Sequence, residues 1–458
     1  MGVRRIGSAT TAMAGFAAAS MLLVACGGSD EGGTGGSTGA ASGGSDCAAY
    51  ESYKAFGDVQ GKTVSIYTGI VTPEDKPQID SYKKFEECTG ITVKYEGDKS
   101  FEAQVLVRAR AGNPPDLAIV PQPGLLKQLV ATGKAVEAPA QTAANVDKHW
   151  EKSWKEYGSV DGKFYAAPLG ANVKSFVWYS PSEFQEKGYQ VPTTLDELKT
   201  LSDKIVADGG KPWCAGIGSG EATGWPVTDW HEDMMLRLSG PEVYDQWVAH
   251  EIPFNGPEST EALDAVGDFL KNDDYVNGGL GDVRSIATTT FQDAGLPILD
   301  GNCSLHRQAS FYAANWPEGT EVAEDGDVFA FYLPGQTADE KPVLGGGEFT
   351  LAFSDEPAVQ AFQTYLSSDT WANNKADTTP QGGWVTANTG VDPEKFASPI
   401  DKLAVETFQD EGAVFRFDGS DQMPAAVGSN AYWAQATNWI TGQNTKATVD
   451  NIEKAWPK

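Results

Sequence analysis

Strands and helices alternate along the first part of the chain, and this alternation restricts the fold more than any other feature of the sequence. Three short β-rich runs are each followed by a run with helical spacing, and glycine or proline separates several of them. The predicted strands cover residues 63–67, 91–95 and 116–120, and the predicted helices cover 77–88, 101–111 and 124–132. Repeats of this kind form a mostly parallel sheet with helices on both faces.

Length and charge restrict the class of protein further. The chain has 458 residues, and about 410 of them follow residue 46; a body of this size exceeds a single core and predicts two domains. The formal net charge of −29 argues against nucleic acid as a partner, because phosphates would be repelled, and against docking on anionic headgroups. We attribute the acidity to solubility outside the cell.

The N-terminus has the pattern of an export signal. Arg4 and Arg5 precede an alanine-rich apolar run, and a small residue stands before Cys26. The pattern resembles the lipobox of bacterial lipoproteins, in which cleavage occurs before the cysteine and the cysteine carries the lipid. We therefore expect residues 1–25 to be a signal peptide and residues 26–46 to be the lipidated Cys26 and a flexible Gly/Ser linker. The body is then held at the extracytoplasmic face of the membrane. A transmembrane helix is disfavoured because the run is short and rich in small residues.

Four cysteines remain once Cys26 carries a lipid. An even number in an oxidising compartment predicts two disulfides, for which three pairings exist. We expect Cys47–Cys88, which would tie the incoming chain to the first helix, and Cys214–Cys303, which would join two loops of one domain. Free buried thiols are the alternative.

Several short motifs occur in a characteristic order along the body. They are residues 82–93, 112–117, 162–168, 192–198, 341–347 and 423–424 with 432–433. In this order they resemble the sugar-binding proteins of bacterial ABC importers, and the Trp- and Glu-rich middle resembles the α-glucoside-binding branch. Leu195 stands where that family usually has Trp.

The resemblance implies the two-lobed periplasmic-binding-protein fold of type II. Each lobe would be an α/β unit with a mostly parallel sheet flanked by helices, and the ligand cleft would lie between the lobes. The expected limits are 47–168 plus 345–408 for lobe 1 and 169–344 plus 409–458 for lobe 2, with crossings near 168–169, 344–347 and 409–417. The implied partners are a carbohydrate and ABC permease subunits, and a monomer without cofactor is expected.

A sugar site needs aromatic rings to stack on sugar faces and short polar side chains to bond hydroxyls. The densest such stretch is a Gly/Pro-broken loop at 218–230, from which we select Glu221, Trp225 and Asp229 as ligand contacts. Trp230 is expected to pack in the core instead. Trp384 is a second candidate for stacking, with a packing role as the alternative.

Other candidates follow from position or from the resemblance. Thr72 and Gln122 follow predicted strands, where open α/β sheets bind ligands. The family often contacts sugar near Asn172 and Trp433, and anchoring of the last helix is the alternative role for Trp433. Gly346 and Gly347 suit a hinge and a close backbone approach to a ligand. Arg416 is expected to clamp a hydroxyl or carboxylate, or else to pair with Asp418 or Asp421.

Two other classes of protein stay open at this point. A secreted glycoside hydrolase would use Glu221 and Asp229 as carboxylates about 5–9 Å apart, and a purely structural surface lipoprotein would bind no ligand. A zinc enzyme is disfavoured, because Met235 replaces the second histidine of an H-E-x-x-H motif that begins at His231 and the chain has only 4 His. No metal or cofactor is therefore expected.

Overall fold

The computed structural model describes residues 47–457, apart from the side chain of Gln409. The predictions of a signal peptide over 1–25, of a lipid on Cys26 and of a linker up to residue 46 lie outside the described residues. No helix in the described range combines the length and the apolar character needed to cross a bilayer.

The strands in residues 47–457 are β1 (Thr63–Thr68), β2 (Thr92–Gly97), β3 (Leu117–Val120), β4 (Ser159–Val160), β5 (Lys163–Phe164), β6 (Ala166–Val173), β7 (Phe176–Tyr179), β8 (Leu305–Arg307), β9 (Phe329–Tyr332), β10 (Lys341–Ala352) and β11 (Ala413–Phe417). The α-helices in the same range are α1 (Glu51–Lys54), α2 (Asp75–Asp80), α3 (Lys83–Thr89), α4 (Phe101–Ala111), α5 (Pro123–Ala131), α6 (Ala140–His149), α7 (Lys152–Tyr157), α8 (Pro181–Lys187), α9 (Leu195–Ala207), α10 (Trp225–Ser239), α11 (Pro241–Val248), α12 (Pro257–Leu270), α13 (Phe291–Ala294), α14 (Pro357–Leu366), α15 (Asp369–Asp377), α16 (Pro399–Gln409), α17 (Gly419–Gln422), α18 (Trp433–Ile440) and α19 (Thr445–Glu453).

The predicted alternation of strands and helices builds one side of a six-stranded sheet. β1 pairs in parallel with both β2 and β3, as the sequence predicts. β10 continues the sheet by running antiparallel to β3 and to β6 and parallel to β11. Every residue of β3 and of β6 is buried, which is typical of strands covered on both faces.

A second sheet has the order β8–β7–β9, and both of its pairings are antiparallel. The expectation of a mostly parallel sheet in each lobe is therefore wrong for this sheet. Parallel neighbours are usually joined by one crossover helix. The adjacent strands β7 and β8 are instead separated along the chain by the helices α8 to α13, so this sheet lacks the simple strand–helix–strand connection of a parallel pair.

The predicted helix over 77–88 is two helices, α2 and α3, separated by Ser81 and Tyr82. The Ser81 hydroxyl donates to the carbonyl of Gln78 at 2.6 Å, and the Tyr365 hydroxyl donates to the carbonyl of Ser81 at 2.9 Å. Such bonds compete with the helical pattern. The break is thus imposed by a residue more than 280 positions away in the sequence.

The strands show where the chain passes between the sheets. β6 ends at Val173 and β7 begins at Phe176, so the first change of sheet comes at residues 174–175, whereas 168–169 lie inside β6. The second change comes between Tyr332 and Lys341. After Phe417, the end of the last strand in the described residues, the chain continues in helices. The lobe limits themselves stay a prediction.

Both predicted disulfides are confirmed. Cys47 is bonded to Cys88 at the end of α3, and their Cα atoms are 5.3 Å apart. Cys214 is bonded to Cys303 with Cα atoms 5.5 Å apart. The first bond fixes the start of the described chain to the helical layer of the six-stranded sheet.

The largest core cluster surrounds α10 rather than a sheet. Trp230 is only 4% exposed in this core, where its ring lies 5.2 Å from that of Trp213 and 5.7 Å from that of Phe269. The prediction that Trp230 is a core residue is confirmed. Separate clusters fill the two faces of the six-stranded sheet.

Candidate ligand-binding cleft

A cavity lies where strands of the six-stranded sheet end, and α10 and its neighbours form the facing wall. The residues that line it on the sheet side are Thr68, Gly69, Ile70, Val71, Glu74, Lys99, Glu102, Ile119, Pro121, Gln122, Asn172, Lys174, Gly346, Gly347 and Glu348. The remaining lining residues are Ser219, Ala222, Trp225, Asp229, Phe291, Gln292, Phe311, Asp418, Ser420, Asp421 and Trp433. We call this space the main cavity.

Parallel strands deliver the first group of polar side chains. β1 and β3 run in the same direction, so the loop after Thr68 and the turn at Gln122 meet at one edge of the sheet. The amide nitrogen of Gln122 donates to Glu102 Oε1 at 3.4 Å. Its oxygen Oε1 is buried and has no hydrogen-bond partner among the described residues, so it is free to accept from a ligand.

β6 and β10 supply a wall of glycines beside a polar side chain. Asn172 is 7% exposed, and its Oδ1 is buried without a partner among the described residues. A Cβ at Gly346 would lie 3.2 Å from Lys174 Cε, and one at Gly347 would lie 2.5 Å from the carbonyl oxygen of Gly170. The glycines are needed here for close packing between strands.

The start of α10 supplies the aromatic wall. Gly224 precedes the helix with φ of 117°, and a Cβ at this position would lie 2.2 Å from the carbonyl oxygen of Trp433. Only glycine allows this approach, which brings Trp225 and Trp433 into the same cavity. Trp225 is half-buried, and its ring packs edge-on at 5.0 Å against Phe291.

The charged centre of the cavity is Lys174. Its Nζ lies 3.1 Å from Asp229 Oδ1 and 3.9 Å from Asp421 Oδ2, and it also donates to Asp418 Oδ2. Burial disfavours the charged form of Lys174, but the carboxylates of Asp229, Asp418 and Asp421 outweigh burial and raise the pKa of Lys174 well above its ordinary value. Lys174 is therefore a permanent cation that holds three carboxylates.

The carboxylates around Lys174 differ in their environments. Burial, together with the charge of Asp418, raises the pKa of Asp229 to about 7. Burial also opposes the ionisation of Asp418, but Lys174 and several hydrogen bonds hold the pKa of Asp418 below its ordinary value. For Asp421, burial and the neighbouring Asp418 raise the pKa well above the ordinary value. Asp418 is thus the principal counterion of Lys174.

A buried carboxylate beneath the cavity fixes the short helix α17. Glu232 accepts hydrogen bonds from the backbone N–H of Gly419 at 2.6 Å and of Ser420 at 3.0 Å. The side chain of Asp418 caps the same helix by accepting from the N–H of Asp421 at 2.8 Å. Carboxylates at the first turn suit the free N–H groups of a helix start.

A second, smaller cavity adjoins the main cavity. The residues that line both are Ile70, Glu74, Ile119, Phe311 and Glu348. Trp384 and Lys375 line the second cavity, and Lys375 Nζ lies 5.4 Å from the centre of the Trp384 ring. Burial lowers the pKa of Lys375 to about 8. The two cavities thus adjoin along the residues that they share.

A hydrogen bond joins the two sides of the cleft at a second place, away from Lys174. Asn315 Nδ2 donates to Glu74 Oε1 at 3.2 Å. Glu74 follows the loop after β1, whereas Asn315 follows β8 of the second sheet. Burial raises the pKa of Glu74 to about 7.

Most of the predicted contact residues lie in the main cavity. Those that line it are Gln122, Asn172, Trp225, Asp229, Gly346, Gly347 and Trp433. Their roles in binding stay predictions, since the position of a side chain does not by itself show contact with a ligand.

Four predicted contact residues lie elsewhere. Thr72 is exposed, and its hydroxyl donates to Asp75 at 3.0 Å. Glu221 is exposed on the turn before α10 and does not line the main cavity, although its neighbour Ala222 does. Trp384 lines the second cavity. Arg416 Nε donates to Asp245 at 2.6 Å, so Arg416 pairs with neither Asp418 nor Asp421 and does not line the main cavity.

The sequence-based selection did not include several charged residues of the cavity. They are Glu74, Lys99, Glu102, Lys174, Glu348, Asp418 and Asp421. Their positions offered one signal: Lys174 stands two residues after Asn172, and Glu348 directly follows Gly347. Glu102 and Glu74 offered no such signal, because each lies in the first turn of a helix, or just before one, where a carboxylate is also expected for capping.

An α/β body with a six-stranded and a three-stranded sheet, and with a cleft lined by aromatic rings and short polar side chains, defines the class of two-lobed binding proteins. The chain belongs to the family of bacterial extracellular solute-binding proteins, whose model matches residues 71–325. The family is defined by binding solutes, and it is an extracellular one. Within the described residues, no group of three or more His, Cys, Asp or Glu side chains is arranged to hold a metal ion.

Two relatives match nearly the whole chain. The chain is 38% identical over 431 residues to the alpha-glucosides-binding periplasmic protein AglE of Rhizobium meliloti, covering 89% of this chain and 90% of the relative. It is 36% identical over 409 residues to the osmoprotective compounds-binding protein GgtB of Synechocystis sp., covering 88% and 94%. Among solved structures, the bacterial solute receptor AcbH superposes with a TM-score of 0.71 at 19% identity, covering 86% of this chain and 97% of that one. This likeness confirms the predicted type II fold.

Proposed function

We propose that the chain is the solute-binding component of an ABC importer and that it captures an α-glucoside or a small oligosaccharide. The observation that carries the proposal is the main cavity, where Trp225 and Trp433 lie near the unpartnered oxygens of Gln122 and Asn172. Aromatic faces and short acceptors are the groups that bind sugar rings and hydroxyls. The AglE relative, described as binding alpha-glucosides, supports the choice of sugar.

Capture proceeds by closure of the two walls over the ligand. The loops after β1 and β3 form one wall, and the start of α10 forms the other. A ligand that contacts both walls binds the closed form more tightly than the open form. This difference in affinity sets how far the ligand shifts the equilibrium toward the closed form. The bond between Asn315 and Glu74 supports this mechanism, because it is a contact that opening of the cleft would break. The closed protein then delivers the sugar to the membrane permease.

The second cavity supports an oligosaccharide as well as a disaccharide ligand. It shares Glu74 and Glu348 with the main cavity, and Trp384 is one of its lining residues. In this proposal a further sugar ring occupies the second cavity and stacks on Trp384. A packing role for Trp384 is the competing interpretation, since its ring also lies 5.5 Å from that of Trp371.

The protein works as a monomer tethered to the outer face of the membrane. The proposal rests on the lipobox pattern ending at Cys26 and on the Gly/Ser linker, which would give roughly 20–25 Å of reach. The Cys47–Cys88 disulfide supports it, because the bond ties the body to the point where the linker ends. Metabolic labelling with palmitate tests the anchor, and Cys26→Ala is expected to abolish the label.

The glycoside hydrolase alternative has little support. It required Glu221 and Asp229 to face each other across a bond. Glu221 is exposed outside the main cavity, and Asp229 is 1% exposed and paired with Lys174 and Arg307. We propose that the bound sugar leaves the protein chemically unchanged.

A thermal-shift and product assay tests the proposed function. Purified protein is incubated with maltose, trehalose, sucrose and longer α-glucans, and the melting temperature and released glucose are both measured. A ligand at 100 times its Kd should add about 2.7 kcal/mol to the free energy of unfolding. Stabilisation without released glucose supports the proposal. Released glucose would favour the hydrolase, and no response to any sugar would favour a structural lipoprotein.

A further inference from the structure

Lys375 is a buried cation in the wall of the second cavity. It is 4% exposed and lines that cavity together with Trp384. A lysine is almost never buried to this degree unless it is paired, because its long stem usually carries the ammonium group to water. The burial of Lys375 therefore needs a physical reason.

The ammonium group of Lys375 has no carboxylate partner. Among the described residues, Nζ donates a hydrogen bond to Thr379 Oγ1 at 2.8 Å and forms no salt bridge. Lys174, in contrast, is surrounded by the carboxylates of Asp229, Asp418 and Asp421. An ammonium group carries three N–H donors, so the Thr379 bond leaves two of them without an acceptor among the described residues.

Carboxyl groups at a greater distance do not compensate for the burial. Asp401, Glu348 and Glu74 favour the charged form of Lys375, but burial is the larger effect, and the pKa of Lys375 falls to about 8. Burial also raises the pKa of Glu74 and Asp401 to about 7, so these groups carry only part of their charge near neutral pH. The charge of Lys375 is thus buried at a cost in stability.

The helix α15 fixes Lys375 in this position. Trp371 lies one turn earlier on the same face, is 1% exposed, and donates from Nε1 to Ser81 Oγ at 3.0 Å. Asn374 donates to the hydroxyl of Tyr50 at 2.7 Å. These contacts hold the turn of the helix that carries Lys375, so the side chain stays in the wall of the second cavity.

We propose that Lys375 gives the second cavity its affinity for a further sugar ring, because its free N–H groups donate to hydroxyl oxygens of that ring. The inference rests on the proposed function and assigns the residue that binds the longer ligands. A hydroxyl group accepts from an ammonium group and donates to a carboxyl oxygen, so it suits Lys375 together with Glu74 and Glu348, which line the same cavity. The centre of the Trp384 ring lies 5.4 Å from Lys375 Nζ and provides a stacking surface beside these groups.

Titration calorimetry with sugars of two lengths tests the inference. Maltose is compared with maltotriose, and sucrose is compared with raffinose, on the wild-type protein and on Lys375→Met. The pair whose disaccharide binds the wild-type protein is decisive. In Lys375→Met the longer sugar should bind roughly 10- to 100-fold more weakly, as expected for loss of hydrogen bonds to a charged group, whereas affinity for the disaccharide should change less than about 2-fold.

Three results would overturn the inference and leave the proposed function standing. They are an equal loss of affinity for both sugars, unchanged affinity for both, and failure of the longer sugar to bind the wild-type protein. If no sugar of either length binds, the proposed function fails and the inference fails with it.

Melting curves without sugar provide the second measurement. Lys375→Met removes a buried charge that has no carboxylate partner, so the unliganded variant should melt at the same temperature as the wild type or higher. Lys402→Met is the control, because Lys402 is exposed and lines neither cavity; both measurements should stay unchanged. Lys375→Gln repeats both measurements with a second uncharged side chain. If both Lys375 variants melt several degrees lower or fail to fold, the ammonium group stabilises the fold and the inference is wrong.

Discussion

At the scale of single residues, Lys174 provides the positive charge that the buried carboxylates of the main cavity require. It is the cation shared by Asp229 and Asp418, and all of these side chains are almost completely buried. A buried ion pair contributes little net stability, yet loss of one partner is costly because it leaves an uncompensated charge. Lys174 is thus a structural requirement of the site.

Lys174→Met is expected to lower the free energy of unfolding by about 3–5 kcal/mol. The reason is that Asp418 would be left buried without its cation, and Asp229 would keep only Arg307, at 3.4 Å. Urea denaturation measures the change, with Lys99→Met as the control, because Lys99 is exposed and its loss should leave stability nearly unchanged. Equal stability of the two variants would contradict the ion cluster described here.

Trp225 is the residue for which stacking on a sugar can be separated from packing. Trp225→Ala is expected to weaken sugar binding by about 1–3 kcal/mol, because it removes the ring face on which the sugar would stack. Trp230→Ala is the contrasting variant: its ring lies in the core, so it should lower the melting temperature. Titration calorimetry and melting curves are measured for both. If Trp225→Ala lowers the melting temperature and leaves affinity unchanged, Trp225 is a packing residue.

At the scale of elements, the start of α10 depends on one glycine. Gly224 has φ of 117°, and the nearest atom to an added Cβ would be the Trp433 carbonyl oxygen at 2.2 Å. The same glycine brings the start of α10 against the backbone of Trp433, and both Trp225 and Trp433 line the main cavity. The start of α10 and the positions of Trp225 and Trp433 in the cavity thus depend on the same backbone contact, and that contact requires glycine at position 224.

Gly224→Ala is expected to destabilise the protein by about 2–4 kcal/mol, because it adds a clash to the cost of a left-handed conformation. Gly112→Ala is the matched control, since Gly112 has φ of 81° but no atom within 4 Å of an added Cβ. That control should cost only about 1–2 kcal/mol. Chemical denaturation compares the two variants, and equal costs would show that the clash is relieved by movement of α18.

The comparison of predicted and observed strands and helices shows which parts of the fold can be predicted from the sequence. β1, β2, β3, α4 and α5 were predicted nearly at their observed limits because each has a clear apolar pattern bounded by glycine or proline. The helix over 77–88 was wrong because Tyr365 takes up the carbonyl of Ser81. The antiparallel second sheet was unforeseeable from local pattern, since its strands are far apart in sequence and short.

At the scale of the whole molecule, buried ionisable groups make stability depend on pH. Burial is the main cause that raises the pKa of Asp229, Glu74 and Asp401 to about 7. A carboxyl group with a raised pKa in the folded state binds more protons there than in the unfolded state, so its contribution to stability falls as pH rises through 7. Burial lowers the pKa of His231 and His306 to about 4, which acts in the opposite direction below about pH 6.5.

The net expectation is that the free energy of unfolding falls by about 1 kcal/mol between pH 6.5 and 8 in the absence of ligand. Urea denaturation at the two pH values measures it. Asp401→Asn should reduce the fall, because Asp401 is one of the groups that take up a proton and Asn can still accept from the N–H of Gly383. Stability that rises over this interval would mean that these carboxyl groups do not titrate as described.

The sequence by itself determined the α/β class, the two disulfides and the family, because apolar periodicity, an even number of cysteines and ordered motifs are local or countable properties. It also identified Gln122, Trp225 and Asp229 as candidates, since strand ends and polar loops with aromatic residues can be recognised in one dimension, whereas Asn172 and Trp433 came from the resemblance to the family. The tertiary structure decided that Lys174 holds three carboxylates, that Glu221 and Arg416 lie outside the main cavity, and that Glu102 and Glu348 face into it. Charge pairing and cavity walls join residues separated by up to 250 positions, and the folded backbone alone brings them within a few ångströms of each other.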